Sequence, residues 1–282
     1  MAAHTDVRWG LAALSALVVL GTYAMLVEGW RQVLAAIGGS LGRADAVRVW
    51  FVSNLARYIP GAFWQLGAMT ELTRRRGVPV TISTSAAIVI TIVNVFTGVA
   101  VATAFAATAP AVLDTPKGRL VIAIGVVALI AMPILAPRLV RIARHVTGRD
   151  LAVPRVGMRT VAVAAVSTAL AWLAYGVAFW ILTAAVLPNG WRDLPGCIAL
   201  YTLSYLVGLF NPAPAGIGAA ESAMVVLAPA LGVATSAEAA VLAIVVRVWR
   251  TVLEIAPGLV ALALGGSRLD AEDQPSRGSR IP

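Results

Sequence analysis

The sequence contains few charged residues, a single cysteine and only two histidines. Charged residues make up 12% of the 282 positions and hydrophobic residues 60%, whereas soluble domains average about 25% charged residues. The single cysteine, Cys197, excludes an intrachain disulfide and a cysteine-based metal cluster. Neither histidine has a partner at metal-ligand spacing, and no Walker loop, G-x-S-x-G or H-E-x-x-H motif occurs. We therefore expect no metal, no cofactor and no enzymatic activity.

The hydrophobic residues are concentrated in about seven segments. About 20 apolar residues in a helix cross the roughly 30 Å of bilayer hydrocarbon, so the composition predicts an all-α, polytopic membrane protein with about seven spans. We assign residues 1–264 to one transmembrane domain, residues 265–282 to a disordered polar tail, and the chain to the cell membrane. The segments cover approximately 9–27, 44–73, 82–108, 120–135, 161–187, 195 into a break described below, and 237–264.

The net charge of +9 comes largely from arginines that lie beside apolar segments. This placement indicates the cytoplasmic leaflet rather than a nucleic-acid partner. By the positive-inside rule, Arg74 to Arg76 and the basic loop 138–159 are cytoplasmic. If each segment crosses the membrane, the N-terminus is also inside. The basic loop could in addition bind anionic lipid headgroups, although topology alone accounts for it.

Two of the segments are interrupted by proline and glycine. Leu209 to Glu221 reads L-F-N-P-A-P-A-G-I-G-A-A-E, and Pro60-Gly61 interrupts an earlier segment. Proline lacks an amide hydrogen and clashes with the preceding turn, so no straight helix passes through these stretches. Irregular backbone at membrane depth survives only inside protein or beside a wet cavity. The second break, with the acid Glu221, is therefore a candidate binding site; a kinked helix or a tight interfacial loop is the alternative.

The interior of the last apolar segment carries the charged residues Arg247, Arg250 and Glu254. Their spacing places them on one helical face, and each costs about 2.5–3.5 kcal/mol at the centre of a membrane helix. Arg250 can pair with Glu254 within the helix, so Arg247 needs another anion. Glu221 is the protein candidate, and a lipid phosphate is the ligand candidate because guanidinium binds phosphate bidentately. A permanent Arg247–Glu221 bridge is the alternative, and both interpretations hold if a ligand competes for the bridge.

Arg57 precedes the first break by about one helical turn. From this position its side chain could contact an anion held at the free amide groups of the following half-helix, near residues 62–64. An arginine that extends toward the membrane interface is the alternative. We include Arg57 among the candidate residues.

The two interrupted segments show the same order of features. Each half reads as an apolar run, a Pro/Gly break, a short helix with an acid, a Gly-Val pair and a span with a polar interior. The Gly-Val pairs, 77–78 and 232–233, occupy corresponding positions. Paired interrupted segments in two halves are typical of transporter binding sites. We interpret them as an internal repeat, parallel or inverted, with chance similarity as the alternative.

An ordered set of motifs carries a family resemblance. The pattern N-L-A-R-Y-I-P-G-x-x-W-Q, then R-R-R-G-V, then N-P-A-P-A-G-I-G-x-x-E and an intramembrane V-R resembles the lysylphosphatidylglycerol synthase transmembrane family, also called flippase-like domain proteins. The resemblance runs from about Leu11 to Leu264. It implies that aminoacylated phospholipids or other lipid-linked groups move between leaflets. Bifunctional members also carry a soluble synthase domain; only a short tail follows Leu264 here, so we expect no synthase activity.

Two departures from the family pattern leave the identity of the substrate open. Ala62-Phe63-Trp64 stands where many relatives have a Gly-rich form, and Ala215 stands where glycine is frequent. We hypothesise a flippase-like protein that binds a phospholipid or lipid-linked headgroup and could translocate it. The alternative is a non-transporting scaffold or accessory subunit for a glycosyltransferase or another membrane enzyme. The candidate lipid-binding residues are Arg57, Pro60, Gly61, Asn211, Pro214, Gly216, Gly218, Glu221, Arg247, Arg250 and Glu254.

Overall fold

The computed structural model describes residues 7–59, 64–116, 118–120, 122–127, 130–131, 157–188 and 191–272. Every regular element in these ranges is helical, as the composition predicts. The chain is therefore an all-α membrane protein. The helices are α1 (Trp9–Ala36), α2 (Arg43–Leu55), α3 (Trp64–Arg74), α4 (Val80–Ala106), α5 (Pro110–Leu113), α6 (Met158–Val186), α7 (Leu194–Leu209), α8 (Ala219–Ala230) and α9 (Ser236–Glu272).

Three of the helices, α1, α4 and α6, are long and apolar enough to cross a membrane by length and composition. Helices α7 and α8 are apolar but shorter. Helix α9 carries the charged residues and continues to Glu272, beyond the domain boundary that we expected at Leu264. The hydrophobic pattern ends there, but the following residues are compatible with a helix.

Each broken segment folds into a pair of antiparallel helices. In hairpin A, formed by α2 and α3, Asn54 accepts a hydrogen bond from Gln65 at the tip (2.5 Å), and Arg76 pairs with Asp45 at the open end (2.6 Å). In hairpin B, formed by α7 and α8, the end of α7 likewise lies against the start of α8. A Cβ atom placed on Gly208 would lie 2.9 Å from that of Ala220.

Hairpin A ends at the same face of the molecule at which it begins, so the chain does not cross to the opposite face within it. Arg76 lies beside Asp45, close to where α1 ends, whereas Arg8 at the other end of α1 donates its amide to the carbonyl of Ala185. The cluster Arg74 to Arg76 is therefore on the opposite face from the N-terminal end of α1. The expectation that the two share a side is wrong, because it counted the first broken segment as a crossing.

The two hairpins end in the same backbone motif. Gly77 and Gly232 both have positive φ, +80° and +66°, which only glycine adopts at little cost. In both, the residue after the glycine donates its amide to a carbonyl five residues back, Val78 to Thr73 (3.3 Å) and Val233 to Ala228 (3.0 Å). This is the Schellman arrangement that ends a helix, and it supports the internal repeat.

The repeat is inverted. Helices α1 and α6, which open the two halves, run antiparallel: Ser15 donates to the carbonyl of Ala178 (2.6 Å), and Gly29 lies against Ser167. The two hairpins therefore begin and end at opposite faces of the molecule. Each packs on the long helix of the other half, hairpin A on α9 and hairpin B on α4.

A buried aromatic group holds α7 in place. The rings of Tyr175 and Tyr201 stack at 5.7 Å, and Trp172 meets Tyr205 edge-on at 5.2 Å. Trp172 fits against α4 only because position 98 is glycine, where a Cβ atom would lie 2.9 Å from the indole ring. Large rings in fixed contact restrict the orientation of Tyr205, which reaches the site described next.

Candidate functional site

The tips of the two hairpins meet. Hairpin A has a 3₁₀ turn at Ala56–Tyr58, and the break after hairpin B's first helix has one at Pro214–Gly216. These two turns contact each other. The turn that precedes the first break therefore lies beside the second break, as a single site between paired interrupted segments requires. Pro60 and Gly61 lie outside the described residues.

Unusual backbone conformations shape the tip of hairpin B. Gly216 and Gly218 have positive φ (68° and 86°), as does Ala215 (50°). A Cβ atom on Gly216 would lie 2.4 Å from the carbonyl oxygen of Gly208, so the position requires glycine. Asn211 accepts a hydrogen bond from the amide of Ala213 (2.8 Å), a turn that directs the chain into Pro214.

Glu221 and Arg247 tie this tip to α9. One oxygen of Glu221 accepts the amide of Gly218 (2.7 Å) at the start of α8, where the helix dipole favours an anion. The other accepts from Nε of Arg247 at 2.5 Å. Nη1 of Arg247 donates to the carbonyl of Ala215 (3.0 Å). The predicted Arg247–Glu221 pair is confirmed, and the same arginine also holds the backbone of the tip.

Glu254 is the centre of a second charged group. It is 3% exposed and lies 3.2 Å from Arg57 and 3.4 Å from Arg250. The hydroxyl of Tyr58 donates to its other oxygen at 2.7 Å. The predicted Arg250–Glu254 pair is confirmed. Arg57 also pairs with Glu254, a partner that the sequence did not indicate, and this pair joins hairpin A to α9.

Tyr205 connects the two arginines of this group. Its hydroxyl accepts from Nη2 of Arg57 (3.2 Å), and the guanidinium of Arg250 lies over its ring at 4.8 Å, a cation–π contact. Neither Tyr58 nor Tyr205 was among the predicted site residues. Tyr58 follows Arg57 directly, which is a weak signal; Tyr205 stands in an apolar run, where a tyrosine usually indicates packing.

A cavity of about 100 Å³ lies between the tips. Arg57 and Arg250 line it together with residues of the hairpin B tip, including Asn211, Pro214 and Gly216, so these predicted residues are brought together. Arg247, Glu221 and Gly218 do not line it. Ile59 and Leu209 also line it and are exposed, 50% and 38% respectively, which makes part of the opening apolar.

The charges of the site do not cancel. Arg57, Arg247 and Arg250 face two carboxylates, Glu221 and Glu254. One positive charge therefore remains, and both arginines at the cavity share a single carboxylate. Within the described ranges, no group of three or more His, Cys, Asp or Glu side chains lies close enough to hold a metal ion. The arrangement can attract an anion and bind it through guanidinium forks.

Two inverted halves with interrupted helices that meet at a charged cavity define a class of helical membrane domains whose site lies between the repeats. Within this class, the family model for the lysylphosphatidylglycerol synthase TM region matches residues 2–258. The chain belongs to this family, as its motifs suggested. A search of curated proteins finds no match.

Proposed function

We propose that the protein binds the phosphate of a phospholipid or lipid-linked headgroup in the cavity between the hairpin tips and moves the headgroup between leaflets. The observation that carries this proposal is the unbalanced positive charge of Arg57 and Arg250 at the cavity. Charged groups away from water are costly unless compensated. An anionic phosphate compensates the surplus charge and matches the planar guanidinium. The protein would act in the cell membrane, without catalysis.

The apolar part of the opening favours a lipid over a water-soluble anion. Ile59 and Leu209 are exposed where they line the cavity, and the neighbouring Phe210 is 72% exposed. In a membrane protein, large exposed apolar side chains face acyl chains. A phospholipid can therefore place its phosphate against the arginines while its tails stay in the bilayer.

This proposal gives the arginines roles that differ from those inferred from the sequence. Arg57 and Arg250 line the cavity and would contact the phosphate. Arg247 is bonded to Glu221 and to the backbone of Ala215, so it would keep the tip of hairpin B closed on α9. Release of this contact would open the cavity on one side, which an inverted repeat requires for alternating access.

The test is a translocation assay with purified protein in vesicles of phosphatidylcholine and phosphatidylglycerol. An acyl-labelled fluorescent phosphatidylglycerol is quenched from outside, and the protected fraction is followed with time. Arg57→Gln and Arg250→Gln each remove charge-assisted hydrogen bonds worth about 1.5–3 kcal/mol, so we expect at least about a tenfold slower rate. Arg→Lys at either position should retain part of the activity, because lysine keeps the charge but not the fork.

Arg192→Gln is the matched control. Arg192 is 18% exposed, close to the 16% of Arg57, and pairs with Glu238 (2.7 Å), but it does not line the cavity. Its replacement should leave the rate unchanged. Wild-type rates in both cavity variants would refute the proposal. A different outcome is that the wild type binds lipid without translocating it, and that the two cavity variants lose this binding. This result would instead favour an accessory protein that presents lipid to an enzyme.

A further inference from the structure

A smaller chamber adjoins the cavity, and it is called the inner chamber here. Tyr205, Ala220 and Arg250 line both spaces, so the chamber lies directly beyond Arg250 as seen from the cavity. Its volume is about 20 Å³. A space of this size holds about one water-sized group. A headgroup whose phosphate occupies the cavity could therefore extend one small terminal group into it.

Three polar atoms around the inner chamber lack hydrogen-bond partners among the described residues. They are the hydroxyl of Tyr201, the hydroxyl of Ser204 and Nη2 of Arg247. Tyr201 and Ser204 are each 2% exposed. A buried polar atom without a partner costs about 1–3 kcal/mol, so buried polar atoms in native structures are normally paired. Unpaired atoms around one small space indicate a polar occupant.

The polar atoms restrict the chemistry of this occupant. Arg247 can only donate, so it needs an acceptor, whereas the hydroxyls of Tyr201 and Ser204 can donate or accept. A primary ammonium offers no acceptor. Among the residues that line the chamber, it would also meet two guanidiniums, Arg247 and Arg250, against one carboxylate, Glu221. A quaternary ammonium is in addition larger than the chamber. A hydroxyl group satisfies each requirement, since it is small and both donates and accepts.

We propose that the inner chamber binds a hydroxyl group of the lipid headgroup, and that the protein therefore selects phosphodiester lipids with hydroxyl-bearing headgroups over lipids of equal charge that lack a headgroup hydroxyl. This inference rests on the proposed lipid-binding function and adds its specificity. A lipid of this kind carries one negative charge, which balances the single surplus positive charge of the site.

Two probes with equal charge and identical acyl chains isolate the hydroxyl group. Phosphatidylglycerol and phosphatidylethanol both carry one negative phosphate, but only the first has hydroxyls in its headgroup. Binding to the detergent-purified full chain is measured by native mass spectrometry at several lipid concentrations. We expect phosphatidylglycerol to bind about three- to tenfold more tightly, as one or two buried hydrogen bonds allow.

Ser204→Ala and Tyr201→Phe should remove this difference while leaving the affinity for phosphatidylethanol unchanged. Thr202→Val is the matched control, because Thr202 is another buried hydroxyl of α7 without a partner among the described residues but does not line the chamber. It should keep the wild-type preference. Equal binding of both lipids to the wild type would overturn the inference while the proposed function stands. If neither lipid binds, the proposed function itself fails.

Discussion

Replacing Glu254 by glutamine should destabilise the protein strongly. The carboxylate is 3% exposed and is the partner that Arg57 and Arg250 share, at 3.2 and 3.4 Å from the same oxygen. Without it, two guanidinium nitrogens that each lie within 3.4 Å of that oxygen remain with no anion between them. Two like charges about 6 Å apart repel by about 3 kcal/mol at an effective dielectric constant of about 20. Breaking a buried ion pair on one side costs about 3–5 kcal/mol in measured cases, so we expect a loss in that range.

The measurement is reversible unfolding by sodium dodecyl sulfate in mixed micelles, followed by tryptophan fluorescence. Glu71→Gln is the control: Glu71 pairs with Arg74 and Arg75, but its side chain is 43% exposed. Exposed ion pairs contribute little, and this variant should unfold like the wild type.

A second variant separates repulsion from the loss of packing. Adding Arg250→Gln to Glu254→Gln removes one of the two facing cations, so part of the lost stability should return. If Glu254→Gln unfolds like the control, or if the second replacement destabilises the protein further, the buried charges do not interact as their geometry requires.

Three further predictions concern the backbone, the repeat and the membrane orientation. Ala215→Gly should raise the free energy of unfolding by about 0.5–1 kcal/mol in the same assay. The left-handed conformation costs alanine about 1–2 kcal/mol, and the greater chain entropy of glycine in the unfolded state offsets part of this gain. A destabilised variant would contradict this prediction. On a Cys197→Ala background, Gly29→Cys with Ser167→Cys should form a disulfide, since a Cβ on Gly29 lies 3.3 Å from that of Ser167, whereas Gly21→Cys with Ser167→Cys should not. On the same background, Arg8→Cys should react with a membrane-impermeant maleimide added outside intact cells, since the basic cluster lies on the opposite face; protection until the cells are opened contradicts it.

The sequence was sufficient to predict interactions between residues close in the chain or already suspected as a pair. Arg250 and Glu254 are one turn apart, and Glu221 was the candidate partner for Arg247 within the protein. The partner of Arg57 was not predictable, because 197 residues separate it from Glu254. Only the packing of hairpin A on α9 brings them together. Tyr205 was missed for a similar reason, since its role depends on which arginines lie beside it.

Topology was harder to predict than secondary structure. Proline and glycine mark the positions of the breaks, but the same residues occur in a kinked crossing helix and in a hairpin. The deciding contacts, Gln65 with Asn54 and Arg76 with Asp45, join polar side chains across the turn. One hairpin in place of one crossing reverses the side of the N-terminus, so a local ambiguity produced a global error.

The inverted repeat has a consequence for the history of the chain. Two halves of opposite orientation are the expected product of gene duplication from an ancestor that inserted in both directions. After the duplication, each copy needs an uneven distribution of positive charge that fixes its orientation in the membrane. Arg74 to Arg76 close hairpin A, whereas the corresponding end of hairpin B carries Pro229, Ala230 and Leu231. Introducing three arginines at 229–231 would therefore favour the cytoplasmic leaflet for the open ends of both hairpins, although these ends lie at opposite faces of the molecule.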